Sequence, residues 1–315
     1  MSIKFSVLIP AYKAKFLKKC IDSILNQSHS NFEVIILNDA SPENIKNIVG
    51  EYSDERIKYF ENVTNVGAVN VVDNWNKCLS YSSGDFVICM GDDDELFQDC
   101  LEVYGSLIIK YPQIDIFHAK TILINEESNL IDIQEARPEY ESVYSLMWHR
   151  WVKNRIQFIG DFLYKRDTLI NKGGFYKLPL AWASDDITAY ISAKENGIVN
   201  TSKPIFKYRV NSFSITNTGN IEIKMNAIVN EKKWSLGFLQ ELVPSDSLDI
   251  LYKELLVNYC DKFFLKKYLI TIAEDLSNSY LHFFKWWVLS GKYNISKKYL
   301  VYSLFESVKM RNNRK

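Results

Sequence analysis

The chain has 315 residues, of which 47% are apolar and 14% aromatic, and its 38 basic and 38 acidic residues cancel to a formal net charge of zero. That composition can fill a sizeable core and excludes a globally disordered chain. The charge is uneven, however: residues 251–315 hold twelve Lys and Arg against five Asp and Glu, so an acidic body carries a basic tail. Such a tail suits an anionic lipid or other acidic surface, or is simply a solvated helical face.

The five cysteines (Cys20, Cys78, Cys89, Cys100 and Cys260) are scattered and form no Cys-x-x-Cys. Cys20, Cys78 and Cys89 fall within apolar patterns and read as reduced core thiols of a cytosolic protein. The first apolar run, residues 5–9, stops at Pro10, too short for a signal peptide, and no run approaches a membrane span.

In chain order, residues 4–9 predict a buried strand. Phe16, Leu17, Cys20, Ile21, Ile24 and Leu25 then recur at helical spacing. A second apolar run, 32–37, closes on Asn38-Asp39, and Ser41-Pro42 predicts the opening of another helix. Residues 57–60 predict a third strand, 69–79 a helix, and 86–90, after Gly84-Asp85, a fourth strand. This rhythm predicts a parallel α/β sheet with right-handed crossovers. Further on, 100–109 reads as helix, 115–124 as strand, 125–141 as polar loop and 144–151 as helix. Gly173-Gly174 is a turn, 187–194 a helix with Gly197 just past its end, and everything from about 221 is helical in pattern. A boundary near Thr218 separates a body over 1–218 from a helical appendage over 219–315.

Ligands of parallel α/β sheets bind beyond the carboxyl ends of the strands. Three segments follow strands directly and should converge on one crevice: Pro10-Ala11-Tyr12, Asn38-Asp39 and Gly91-Asp92-Asp93-Asp94. Three adjacent carboxylates repel one another unless a cation, basic groups or solvent relieves them. Mg²⁺ or Mn²⁺ prefers such oxygen ligands and shares them with substrate phosphates. The plainer reading is a solvated loop with Asp94 as a helix N-cap. Asp39 can accept from a base N–H or a ribose hydroxyl, or close an Asx turn. Tyr12 can stack on a nucleobase or pack in its loop. Asp185 and Asp186 precede a helix; one could be a general base, although acidic residues favour helix N-termini in any case.

Several chemistries lack their motifs. No Gly-x-Gly-x-x-Gly follows the first strand, and neither a P-loop nor a Gly-x-Ser-x-Gly elbow is present. His29, His118, His149 and His282 have no zinc spacing, and nothing outside the tail suggests nucleic-acid binding.

Taken in order, the segments resemble the family 2 glycosyltransferases of the GT-A fold. Phe5-Ser6-Val7-Leu8-Ile9-Pro10-Ala11-Tyr12 is similar to that family's first strand and donor loop. Ser23-Ile24-Leu25-Asn26-Gln27 and the run from Glu33 to Ser41 resemble its helix, second strand and base-binding Asp. Asn65-Val66-Gly67 matches its Asn-x-Gly, and Gly84-Asp85-Phe86 through Asp94 matches the strand leading to its metal motif. Residues 160–175 resemble its acceptor-side segment ending in Gly-Gly-Phe, Asp185-Asp186 its Glu-Asp pair, and Tyr208-Arg209-Val210 with Ser214 its closing motif. The resemblance spans roughly residues 3–218 and does not extend to the tail.

The resemblance implies a Rossmann-like, mostly parallel sheet with helices on both faces and a C-terminal helical region. It divides the body into a donor-binding half of about 1–97 and an acceptor-side half of about 98–218. It implies inverting, metal-dependent transfer from a nucleoside diphosphate sugar, a UDP-sugar by preference, to a glycan or lipid-linked acceptor in bacterial surface polysaccharide synthesis. Pro10, Tyr12, Asp39, Asn65, Gly67 and Asp92 then fall on the donor, Asp93 and Asn211 on Mn²⁺ or Mg²⁺, and Asp186, with Asp185 second, on the acceptor proton. Two positions depart from the pattern: Gly91 replaces the usual first Asp, and Asn211 stands where many members have a His. A neutral amide is the weaker ligand, so either metal affinity is expected to be lower or metal to bind firmly only with donor present. The setting expected is cytoplasmic, with peripheral contact at the inner face of the membrane through the tail; the competing readings of the tail are a homodimer contact or simple packing on the catalytic domain. Two alternatives remain. A nucleotidyltransferase would share the sheet and metal carboxylates but show a Gly-rich loop after the first strand. A non-catalytic sugar-nucleotide-binding or scaffolding protein would keep only the fold.

Overall fold

The computed structural model describes residues 3–211 and 220–312. Strands β1 (Phe5–Ala11), β2 (Phe32–Asn38), β3 (Ile57–Glu61) and β4 (Phe86–Cys89) alternate with helices α1 (Leu17–Leu25), α2 (Ile45–Gly50) and α3 (Val71–Tyr81). β1 pairs in parallel with β2 on one side and β4 on the other, and β2 pairs in parallel with β3. β1 and β2 are continuous apolar runs because helices cover both faces of the sheet.

The second half adds β5 (Glu95–Leu96), α4 (Cys100–Lys110), β6 (Ile116–Ile124), β7 (Leu130–Ile133), β8 (Tyr140–Glu141) and α5 (Val143–Val152). β9 (Phe162–Lys165), α6 (Arg166–Asn171), α7 (Ser184–Ala193) and β10 (Ile198–Arg209) follow. The sheet order is β3-β2-β1-β4-β9-β6-β10-β5, with β7 on β6 and β8 on β10. β9 runs antiparallel to β4 and β6, whereas β10 is parallel to β6. The sheet is therefore mostly parallel, with antiparallel additions in the second half of the body.

Three local expectations are corrected. Residues 125–141 contain β7 and β8 and are not merely loop. The helix after Ser41-Pro42 starts only at Ile45, because Ser41 is held in a turn: its N–H donates to Asn38 Oδ1 at 2.9 Å and its hydroxyl to the Tyr12 carbonyl at 2.6 Å. Asp94 caps no helix, since β5 follows it directly.

The core lies on both sheet faces. Val7, Ile9, Val34 and Ile36 point to one, with residues of α1, α2 and α4. Leu8, Ile35 and Leu37 point to the other, whose cluster continues into α8 (Ile221–Glu241), α9 (Ser247–Asn278), α10 (His282–Leu289) and α11 (Lys297–Asn312). Trp151 of α5 stacks on Phe263 of α9, with ring centroids 4.9 Å apart and 8° between planes. The C-terminal helices thus share a core with the sheet; the boundary expected near Thr218 lies outside the described residues. All five cysteines are free and buried.

Candidate active site

The parallel register of β1, β2 and β4 brings their carboxyl ends side by side. Asp92 Oδ2 accepts the backbone N–H groups of both Tyr12 and Lys13 at 2.7 Å, which binds the acidic loop to the end of β1. The N–H of Asp39 donates to the Ala11 carbonyl at 3.0 Å, which places the end of β2 beside it. Pro10 lies half-buried in register with Leu37, and the Tyr12 ring is exposed above.

Asp39 is buried and held from below. Its Oδ1 accepts from Asn62 Nδ2 at 2.7 Å and from the Val66 N–H at 3.0 Å. Asn62 is fixed in turn by Asn74 at 2.9 Å and by Lys77 at 2.5 Å. Asn65 Nδ2 donates to the Asp39 carbonyl at 3.0 Å, and Gly67 turns the chain away at φ 76°. Asp39 Oδ2 accepts none of these bonds.

The acidic run divides by role. Asp94 Oδ1 accepts the Arg209 N–H at 3.0 Å and Oδ2 the Gly91 N–H at 3.2 Å, so this side chain is structural. Asp93 points elsewhere and meets the amide of Asn211, with Nδ2 donating to Oδ2. Burial raises all three carboxyls above their ordinary range, and their mutual repulsion raises Asp92, to about 6, and Asp94 further. Lys13 and Arg209 partly relieve Asp93. A Cβ on residue 91 would stand 2.7 Å from Asp93 Oδ1 and 3.0 Å from Asp94 Oδ2, so Gly91 is the residue this carboxylate arrangement accommodates.

Among the described residues no group of three or more His, Cys, Asp and Glu is gathered for a metal ion. Asp92 and Asp94 already accept backbone N–H groups, which leaves Asp93 as the principal oxygen ligand; Asn211 turns its Nδ2 to that carboxylate and would offer its carbonyl oxygen to a metal only with the amide turned over. That set fits a hard cation which completes its shell with water and substrate phosphate oxygens, and it does not fit an all-protein cage. A cation there would also offset the repulsion.

Asp185 and Asp186 open α7, and α5 and the segment after it supply their surroundings. Arg150 Nε–H is shared between Asp186 Oδ1 at 2.9 Å and Oδ2 at 3.0 Å, and Gln157 Nε2 donates to Oδ1 at 2.6 Å. Oδ2 thus keeps a lone pair. Asp185 is half-buried and accepts the Asp186 N–H at 2.9 Å; burial and then the Asp186 charge push its carboxyl up to about 7. The Tyr208 ring stacks on Phe158 at 3.5 Å, and its hydroxyl is pushed up by burial first, then by Asp94, Asp93, Asp161 and Asp185. Tyr208 therefore lies within the field of both acidic groups. Ser214 falls outside the described residues.

Sequence reading missed Arg150, Gln157 and the Asn62-Asn74-Lys77 support, because nothing in their spacing separates them from surface polar residues. Arg209 was legible only as part of a motif, yet it is a hub. Its Nε donates to the Asp93 carbonyl at 2.8 Å, its Nη1 to the Asn125 carbonyl at 2.8 Å and to Ser128 Oγ at 3.0 Å, and its Nη2 to Glu95.

The fold and the strand-end acidic loop define a GT-A protein, and residues 1–349 of TarS from S. aureus in complex with UDP-GlcNAc superpose with a TM-score of 0.66 at 14% identity, covering 98% of this chain and 89% of that one. The mannosyltransferase PcManGT from Pyrobaculum calidifontis, in complex with GDP-Man and Mn²⁺, gives 0.56 at 14% identity over 100% and 88%. The Glycosyl transferase family 2 model matches residues 6–171, more than half of the chain, and the chain belongs to that family. The UDP-Glc:alpha-D-GlcNAc-diphosphoundecaprenol beta-1,3-glucosyltransferase WfgD of Escherichia coli is 27% identical over 223 residues, 70% of this chain and 82% of the relative. Glycosyltransferase GlyA of Streptococcus pneumoniae is 32% identical over 145 residues, but the match spans only 20% of that relative. The GalNAc(5)-diNAcBac-PP-undecaprenol beta-1,3-glucosyltransferase of Campylobacter jejuni is 38% identical over 130 residues, 40% of each chain. The matches to GlyA and to the C. jejuni enzyme span 20% and 40% of those relatives, whereas the match to WfgD spans 82%, and all three are named as glycosyltransferases or glucosyltransferases.

Proposed function

We propose that the chain is an inverting hexosyltransferase that moves a sugar from a UDP-sugar to a hydroxyl of a glycan or lipid-linked acceptor, in bacterial surface polysaccharide synthesis at the inner face of the membrane. The observation that carries this reading is the contiguity of Tyr12, Asp39, Asp92 and Asp93 at the adjoining ends of β1, β2 and β4. The names of relatives add support: UDP-Glc and a diphosphoundecaprenol acceptor for the E. coli enzyme, UDP-GlcNAc for TarS.

On this reading Asp39 Oδ2 accepts from the base and Tyr12 flanks it, while Asn65 and Gly67 shape the floor. Asp92, tied to the β1 end, faces the ribose side. Asp93, with Asn211, would hold Mn²⁺ or Mg²⁺. When bound, the metal neutralises charge developing on the departing diphosphate. Asp186, kept in place by Arg150 and Gln157, takes the proton of the acceptor hydroxyl on its remaining Oδ2 lone pair as that hydroxyl attacks the anomeric carbon opposite the diphosphate. Asp185 is the neighbouring carboxyl that tunes the pair.

Thermal shift with UDP, GDP and their sugars, with and without Mn²⁺, tests the donor. UDP and one UDP-sugar should stabilise the chain, and Mn²⁺ should bind far more tightly with UDP than alone. A shift with GDP alone would overturn the base assignment, and equal metal affinity in both conditions would overturn the shared shell. Asp186→Asn should lower turnover by about 10²–10⁴ with donor binding intact; the same loss in Asp185→Asn only would move the base to Asp185.

A further inference from the structure

Helices α10 and α11 are packed with their apolar faces outward. Leu281, at the N-cap of α10, and Phe284 and Val288 on it recur at three- and four-residue spacing and are 77%, 72% and 79% exposed. The opposite face is the anchor: Trp286 is buried and its Nε1 donates to Asp275 Oδ2 at 2.8 Å. On α11 the inward face is Leu300, Ser303 and Ser307, with Ser303 Oγ donating to the Leu269 carbonyl of α9 at 3.0 Å. Val301, Tyr302, Phe305 and Val308 lie on the other side, all exposed.

The two helices are neighbours running in opposite directions. Lys297, at the start of α11, stands 4.4 Å from the Trp287 ring at the end of α10. Arg311, at the far end of α11, stands 5.2 Å from the Tyr280 ring just before α10. Residues 279–312 contain six Lys and Arg and a single acid, Glu306, which is paired with Lys309 at 2.7 Å; Lys285 is paired with Glu222 of α8 at 2.8 Å, so the cationic character of the face rests on Lys292, Lys297, Lys298 and Arg311. Trp, Phe, Tyr and Leu ringed by cations is the composition of a helix pair lying in a lipid headgroup layer.

We propose that this α10–α11 face docks on an anionic lipid bilayer. Charge decides between a bilayer and a second copy of the chain. A two-fold interface built on this patch would set each cationic face against its own copy, whereas an anionic surface is complementary to both. The inference rests on the lipid-linked-acceptor reading only for its purpose, which is to hold the site where such acceptors lie.

Vesicle co-sedimentation of the full chain, without donor or acceptor, tests it separately from catalysis. Binding to vesicles of equal phosphatidylglycerol and phosphatidylcholine should be about tenfold or more tighter than to phosphatidylcholine alone, and should weaken with salt. Phe284→Ser with Phe305→Ser should lower that binding about tenfold with the melting temperature unchanged. Lys292→Gln with Lys298→Gln should remove the lipid selectivity. Equal binding to both vesicle types, or unchanged binding of the Phe pair, overturns the proposal. So does concentration-dependent dimerisation in sedimentation that the Phe pair abolishes, which would assign the face to a second copy.

Discussion

Arg209 is buried beside three carboxylates, and its donors go to the Asp93, Asn125 and Glu126 carbonyls, to Ser128 and to Glu95, while its guanidinium lies 4.4 Å from the Phe16 ring. It ties the acidic loop to the 125–128 turn and to β5 at once. Arg209→Ala strips the Asp93 and Asn125 carbonyls and Ser128 of a buried donor and leaves Glu95 with Lys207 alone, so it should cost about 3 kcal/mol in denaturant unfolding. Arg209→Lys keeps the charge but loses the planar fork, and should fall between; a lysine variant as stable as wild type would show that charge alone matters. Asp185 gives a pH signature. Its carboxyl titrates near 7 in the folded chain against an ordinary value of 3.8, so the folded state holds a proton that the unfolded state has released between about pH 4 and 7. Stability from this group is present below about pH 4 and lost as pH rises through 7. Asp185→Asn keeps the acceptor for the Asp186 N–H and has no such loss. Its melting temperature should exceed wild type by a few degrees at about pH 8 and match it at about pH 4. An excess at low pH instead would reverse the sign.

At the scale of elements, the second half of the body depends on close approach between segments distant in sequence. Gly160, in the turn entering β9, lies against the Phe206 ring of β10, and a Cβ there would stand 2.2 Å from the ring. Gly160→Ala should therefore destabilise by about 1–3 kcal/mol, through a shifted Phe206. Phe206→Leu in the same chain should recover part of the loss, and no recovery would place the strain in the backbone. β10 itself was not legible as a strand. Pro204 and the polar residues from Asn200 to Lys203 interrupt its pattern, and the ladder with β6 accommodates them by shifting register on either side of Pro204. β7 was hidden for a different reason: all four of its residues are exposed, so no buried face imposed an alternation.

At the scale of the molecule, the C-terminal helices are part of the core. Leu256, Phe264, Ile272, Trp286 and Leu300 belong to the same buried cluster as Leu8, Ile35 and Tyr164 of the sheet. A chain ended at residue 218 would bare Trp151 and its neighbours, and should be recovered largely insoluble or without near-ultraviolet ellipticity. A soluble fragment melting cooperatively near the full chain's temperature would make the helices a true appendage. Among the described residues no helix is long and apolar enough to cross a membrane.

Local pattern was enough for the first hundred residues. Apolar runs, helical spacing and polar residues at strand ends are properties of single segments, so β1 to β4 and the strand-end positions of Asp39, Asp92 and Asp93 could be read from the chain alone. The division of labour within the acidic run could not, because it depends on which backbone N–H each carboxylate meets. Asp92 meets the end of β1, some eighty residues away, and Asp94 meets Arg209, 115 residues away, leaving Asp93 facing Asn211. The outward turn of the α10 and α11 apolar faces was equally invisible, since a helical period fixes which residues share a face but not which face the tertiary structure buries.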